Sequence, residues 1–101
     1  MSKENEAIKE ATASTIIYIG HKPMKAYLIA SLTALASGSK RLTFKARGEA
    51  INTLVDTVEV LKRQNPIVKV GDITLGTEVI QDTRTQRDRN VSTMEIQVFT
   101  D

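Results

Sequence analysis

Six cations, Lys22, Lys25, Lys40, Arg41, Lys45 and Arg47, fall in a stretch from Ala11 to Gly48 that contains no Asp or Glu. Three more, Arg84, Arg87 and Arg89, crowd into a short polar segment beside Asp82 and Asp88. The formal net charge of the chain is only +2, so the total conceals this segregation. A basic face of this kind suits a polyanion, because each cation that meets a phosphate releases a condensed counterion. His21-Lys22-Pro23 adds a local geometry. Proline fits the first position of a helix, and a helix start presents free N–H groups and a positive dipole end to an anion. Taken alone, the motif fits a phosphate site and a solvated basic loop equally well.

Other chemistries find little material. The chain has no Cys and a single His, which excludes disulfides, thiolate metal sites and His-rich metal sites. There is no G-x-S-x-G elbow, Walker loop or G-x-G-x-x-G fingerprint. Asp56 and Glu59 lie one turn apart on the polar side of a predicted helix, where solvated charge is the simpler reading. No catalytic residue, metal or cofactor is expected. Aromatic residues make up 4% of the chain, so recognition dominated by base stacking is not expected either. Tyr27 and Phe44 read as core rather than as stacking platforms.

The elements that must position the cations follow from hydrophobic periodicity. Residues 1–14 are polar and read as a flexible tail, leaving 15–101 as one domain. Thr15-Ile16-Ile17-Tyr18-Ile19 reads as a buried strand ending at Gly20. A helix from Pro23 to Ser37 carries Met24, Tyr27, Leu28, Leu32 and Leu35 as its apolar stripe and stops at Gly38. Arg41 to Ala46 alternates as a half-buried strand. After Gly48, a helix from Glu49 to about Gln64 shows the stripe Ile51, Leu54, Val55, Val58 and Leu61. Two strands, roughly Val68 to Gln81 and Val91 to Thr100, close the pattern, with Gly71 and Gly76 marking bends or bulges in the first. The wholly polar segment Asp82–Asn90 joins them as a hairpin tip. Ten residues per strand imply an arm on the order of 30 Å long.

The expected fold is therefore α+β, a two-layer β-α-β-α-β-β arrangement. A four-stranded mixed sheet carries both helices on one face, because the βαβ crossover is right-handed, and a long β3–β4 hairpin forms an arm. The first two strands run in the same direction, so Lys22, Lys25, Lys45 and Arg47 should converge at one sheet edge. Arg84, Arg87 and Arg89 on the hairpin look like a groove-inserting arm. No apolar run approaches the ~20 residues that span a bilayer, and the polar start MSKENEAIKE does not read as a signal peptide. A soluble, intracellular protein without membrane association is expected.

Several blocks, in order, resemble the Alba family of archaeal chromatin proteins. They are Tyr18-Ile19-Gly20-His21-Lys22-Pro23, Lys45-Ala46-Arg47-Gly48 with Ala50-Ile51, Val55-Asp56-Thr57-Val58-Glu59, and Val91-Ser92-Thr93-Met94-Glu95-Ile96. The resemblance implies an abundant, dimeric protein of the cytoplasm and chromosome (nucleoid) that coats and condenses double-stranded DNA and also binds RNA. It implies backbone contacts from the body of the dimer, with each arm reaching into a minor groove. By position, Lys22 matches a backbone-contacting lysine, Lys45 and Arg47 match a basic pair, and Tyr27 matches an aromatic near the binding surface. The full expected nucleic-acid-binding set is His21, Lys22, Lys25, Tyr27, Lys45, Arg47, Arg84, Arg87 and Arg89.

There are departures from the family pattern. His21 stands where the family commonly has an acetylated lysine, which leaves Lys22 to carry any acetyl control. Glu49 and Thr53 occupy positions where basic residues are frequent. Asn65 replaces an aromatic used for dimer–dimer contact, which points toward a heterodimer with a paralogue as an alternative to a homodimer. Two other functions fit the same residues: a protein acting mainly on structured RNA, and a structural or regulatory β-α-β domain with no nucleic-acid role.

Overall fold

A computed structural model describes residues 14–100. The element order is β1 (Ser14–Tyr18), α1 (Met24–Ala36), β2 (Arg41–Arg47), α2 (Ala50–Gln64), β3 (Lys69–Asp82) and β4 (Arg87–Phe99). The strands form one four-stranded sheet in the order β1-β2-β4-β3, with β1 parallel to β2 and the other pairs antiparallel. This is the β-α-β-α-β-β fold that periodicity implies. The tail expected over residues 1–14 lies outside the described residues apart from Ser14, which opens β1.

Alternation along each strand decides which side chains meet the helices. Ile17 of β1, Leu42, Phe44 and Ala46 of β2, and Ile96 and Val98 of β4 turn inward. They pack with Tyr27 of α1 and Leu54, Val58 and Leu61 of α2 in one core. Register enforces the layer: Phe44 lies opposite Ile17 on one side and Ile96 on the other. A single-residue slip would turn the whole set outward.

The two helices differ in how sharply sequence marks their buried face. On α2 the stripe is clear, and Leu54, Val58 and Leu61 are buried as expected, with Val55 at its exposed rim. Helix α1 is apolar nearly all round, so its stripe is ambiguous. Its fully buried residue is Ser31, whose hydroxyl donates to the Tyr27 carbonyl at 2.7 Å, while Leu32, expected inside, is exposed. Gly38 adopts φ +103° just past α1, a left-handed conformation that glycine enters without steric cost.

Strand β1 corrects the expectation of a fully buried strand. It is an edge strand covered on one face only, so Ile17 is buried while Ile16 and Tyr18 are exposed. Strand β4 begins at Arg87, four residues before the expected Val91, and the hairpin turn shrinks to 83–86. The molecule measures 55 Å along its longest axis and 33 and 21 Å across the others, which reflects the projecting hairpin. The register shifts between Val70 and Ile73, placing a bulge at Gly71-Asp72. None of the described helices is long and apolar enough to cross a membrane.

Candidate functional site

The turn from β1 into α1 is held from beneath by a buried phenol. Tyr27 is 6% exposed, and its Oη accepts hydrogen bonds from the Gly20 N–H at 2.8 Å and the Lys22 N–H at 3.0 Å. Pro23 precedes the first helical residue, one position earlier than expected. His21, Lys22 and Lys25 are left exposed on this turn and the helix start. Tyr27 thus shapes the basic loop from inside the core and offers no ring face to solvent, as its reading as a core residue implies.

The next turn lies alongside. The Ile19 N–H donates to the Lys45 carbonyl at 2.8 Å, which brings the ends of β1 and β2 together. Gly48 takes φ +59° between β2 and α2, and its N–H donates to the Ser92 carbonyl of β4 at 2.8 Å. A side chain at this position would strain the backbone.

Lys45 and Arg47 emerge on the sheet face opposite the helices, but neither is a free cation. Lys45 Nζ lies 3.1 Å from Glu95 Oε1, its direct cross-strand neighbour. Arg47 Nη1 lies 3.3 Å from both carboxylate oxygens of Glu78 on β3. The Arg47 pair is exposed to solvent and the Lys45 pair partly so. Exposed pairs of this kind contribute about 0–1 kcal/mol, so they orient the two cations rather than lock them. These glutamates are absent from the expected site. The sequence signal was available for Glu95, which lies on the same alternating face of β4 as Thr93 and Gln97. Glu78 required the β3 register.

The hairpin arginines divide by register. Arg87 and Arg89 lie on β4, opposite Asp82 and Ile80. They share the open face with Glu95 and Arg47, two-residue steps apart along the strand. Arg84 sits in the turn, where its N–H donates to Asp82 Oδ1 at 2.9 Å and Gln86 turns the chain at φ +56°. Among the described residues, Lys22, Lys25, Arg84, Arg87 and Arg89 face no carboxylate at contact distance, unlike Lys45 and Arg47.

His21, Lys45, Arg47 and Arg89 line one open groove on this face, together with Tyr18, Glu78 and Glu95. Lys22, Lys25, Arg84 and Arg87 stand outside it. The expected convergence therefore resolves into a charge-balanced groove flanked by unpaired cations. Tyr18, in a segment whose composition matches a buried strand, is 71% exposed at its wall.

Comparison with known proteins fits this geometry. The Alba family model matches residues 15–77. The chain is 41% identical over 85 residues to the DNA/RNA-binding protein Alba 1 of Archaeoglobus fulgidus, an alignment covering 83% of this chain and 93% of that one. The chain belongs to the Alba family. Among solved structures, Alba from Thermoplasma volcanium superposes with a TM-score of 0.77 at 34% identity, covering 83% of this chain and 98% of the other. ALBA1 from Trypanosoma brucei matches with a TM-score of 0.69 at 27% identity, over 84% and 68% respectively. The span matched by the family model includes the basic turns after β1 and β2, while the block at 91–96 lies beyond it.

Proposed function

We propose that this Alba protein binds double-stranded DNA, and also RNA, through backbone phosphates and with little sequence preference, coating the chromosome as a dimer. One observation carries the reading: five exposed cations, Lys22 and Lys25 at one end and Arg84, Arg87 and Arg89 on the arm, lack a carboxylate partner among the described residues. Unpaired lysines and arginines are the groups that gain most from replacing counterions on a phosphate backbone. The similarity to the DNA/RNA-binding protein Alba 1 of Archaeoglobus fulgidus supports the same ligand class. No step of this function needs catalysis.

Pairing of subunits is supported by the arm's other face. Ile73, Leu75 and Val79 lie on the side of β3 that faces the helix layer, yet they extend past it and are exposed, Leu75 at 72%. Val55 of α2 is exposed as well. An apolar strip of this kind on a small soluble domain marks an association surface. A homodimer and a heterodimer with a paralogue both cover it. Asn65 turns its side-chain amide back onto the Leu61 carbonyl at 3.3 Å, capping α2. That contact uses the side chain locally and supports weak association between dimers.

Salt titration tests the reading. If a dimer neutralises about six to eight phosphates, log affinity for random duplex DNA falls with log salt at a slope of about −5 to −7. Lys22→Ala should make that slope shallower by ~0.9 per lost contact and weaken all duplexes alike. A flat salt dependence, or a mutant that changes sequence preference, would contradict phosphate-led binding.

A further inference from the structure

We infer that the groove beside Tyr18 is a binding site for an unpaired base of single-stranded nucleic acid, separate from the phosphate contacts. The inference rests on the nucleic-acid reading above and adds a second ligand class to it. Strand alternation sends Ile17 and Ile19 into the core, so the Tyr18 ring between them must project from the open face. Nothing on the neighbouring strand covers it: its register partner is Lys45, whose ammonium is drawn across toward Glu95. A large ring left in water retains most of its apolar surface for a ligand.

The charges of the groove point to a base rather than to a phosphate rail. Lys45, Arg47 and Arg89 are matched there by Glu49, Glu78 and Glu95. A phosphate track would be uniformly basic, as the flanking cations are. A flat, neutral ligand edged with both donors and acceptors suits a wall that alternates ammonium, guanidinium and carboxylate groups. A carboxylate such as Glu95 keeps lone pairs free beyond its ion pair and accepts from an exocyclic amine. In a duplex every base face is already covered by its stacked neighbours, so only an unpaired base can lie against the ring. Lys45 and Arg47 hang on exposed pairs, so they can swing to the phosphate of the bound nucleotide at little cost.

The test compares the full-length wild type with Tyr18→Ala and Tyr18→Phe. Each is titrated with a 12-nucleotide single strand carrying one 2-aminopurine, as RNA and as DNA, and with a duplex of the same sequence. Tyr18→Ala should lose roughly 5- to 150-fold in single-strand affinity, the range for one stacked base. It should keep duplex affinity within twofold, and Tyr18→Phe should behave as wild type. 2-Aminopurine fluorescence should be quenched by wild type and by Tyr18→Phe but not by Tyr18→Ala. A difference between the RNA and DNA arms would assign the sugar preference of the same site. Unchanged single-strand binding by Tyr18→Ala would overturn the inference. So would an equal loss on single strand and duplex, or a change in oligomeric mass, which would make Tyr18 a protein contact. Failure of wild type to bind the duplex would instead overturn the proposed function, a separate outcome.

Discussion

Leu42, Phe44, Ile96 and Val98 are at most 4% exposed, whereas every residue from Gly71 to Val79 and from Thr83 to Asn90 is exposed. The same sheet runs through both regions and the same backbone ladder joins them. In the body, register is fixed by side chains that must reach the helices. In the arm it is fixed by paired backbone groups, a four-residue turn and a few cross-strand contacts. The body therefore has little freedom to change residue type. The arm is free to carry arginines, threonines and glutamates chosen for what lies outside the protein. Function collects where burial no longer dictates composition.

Substitutions can break this contrast or sharpen it. The largest effect belongs to the body: Phe44→Ala should cost about 3–5 kcal/mol in urea unfolding, because the void opens at a wholly buried position of the core. A loss below 1 kcal/mol would mean that the body is no better packed than the arm. Tyr27→Phe comes next. It strips the acceptor from the Gly20 and Lys22 N–H groups, each then left unsatisfied in part-buried surroundings, at about 1–3 kcal/mol in thermal or chemical melts. It should also weaken nucleic-acid binding by loosening the Lys22 turn. A melt identical to wild type would show that the loop holds its shape without the phenol. Glu78→Gln should have the smallest effect on folding, within about 1 kcal/mol. It also releases Arg47, so duplex affinity measured at low salt should rise. A fall in affinity would show that Glu78 positions Arg47 for binding rather than holding it back.

The body was legible in the sequence because burial writes period into composition. Leu42, Phe44 and Ala46 alternate with polar residues, and Leu54, Val58 and Leu61 recur at helical spacing. Strand β1 was harder, because Ile16-Ile17-Tyr18-Ile19 is apolar on both faces and matches a fully buried strand. Only the packing of both helices on one face of the sheet shows that Tyr18, on the other face, is exposed. The start of β4 was hidden for the opposite reason. Arg87-Asp88-Arg89-Asn90 pairs through its backbone and buries nothing, so no hydrophobic period marks it as strand. The cations of the site were visible as residue types, but the partners of Lys45 and Arg47 depend on register across strands distant in the chain. Sequence alone therefore overstated the positive charge at the centre of the face. Lys22, Lys25, Arg84, Arg87 and Arg89, which carry the proposed phosphate contacts, stand outside that centre.

The bulge at Gly71-Asp72 has a consequence for how the molecule survives at high concentration. Strand β3 borders the sheet with β4 as its one strand neighbour, over a length unusual for so small a protein. An uninterrupted border of that kind is a template on which another extended chain can zip, the first event of fibril growth. The extra residue breaks the repeat of that template near its root, and Asp72 places a charge at the break. The kink thus shields a reach that the arm needs from the aggregation such reach invites.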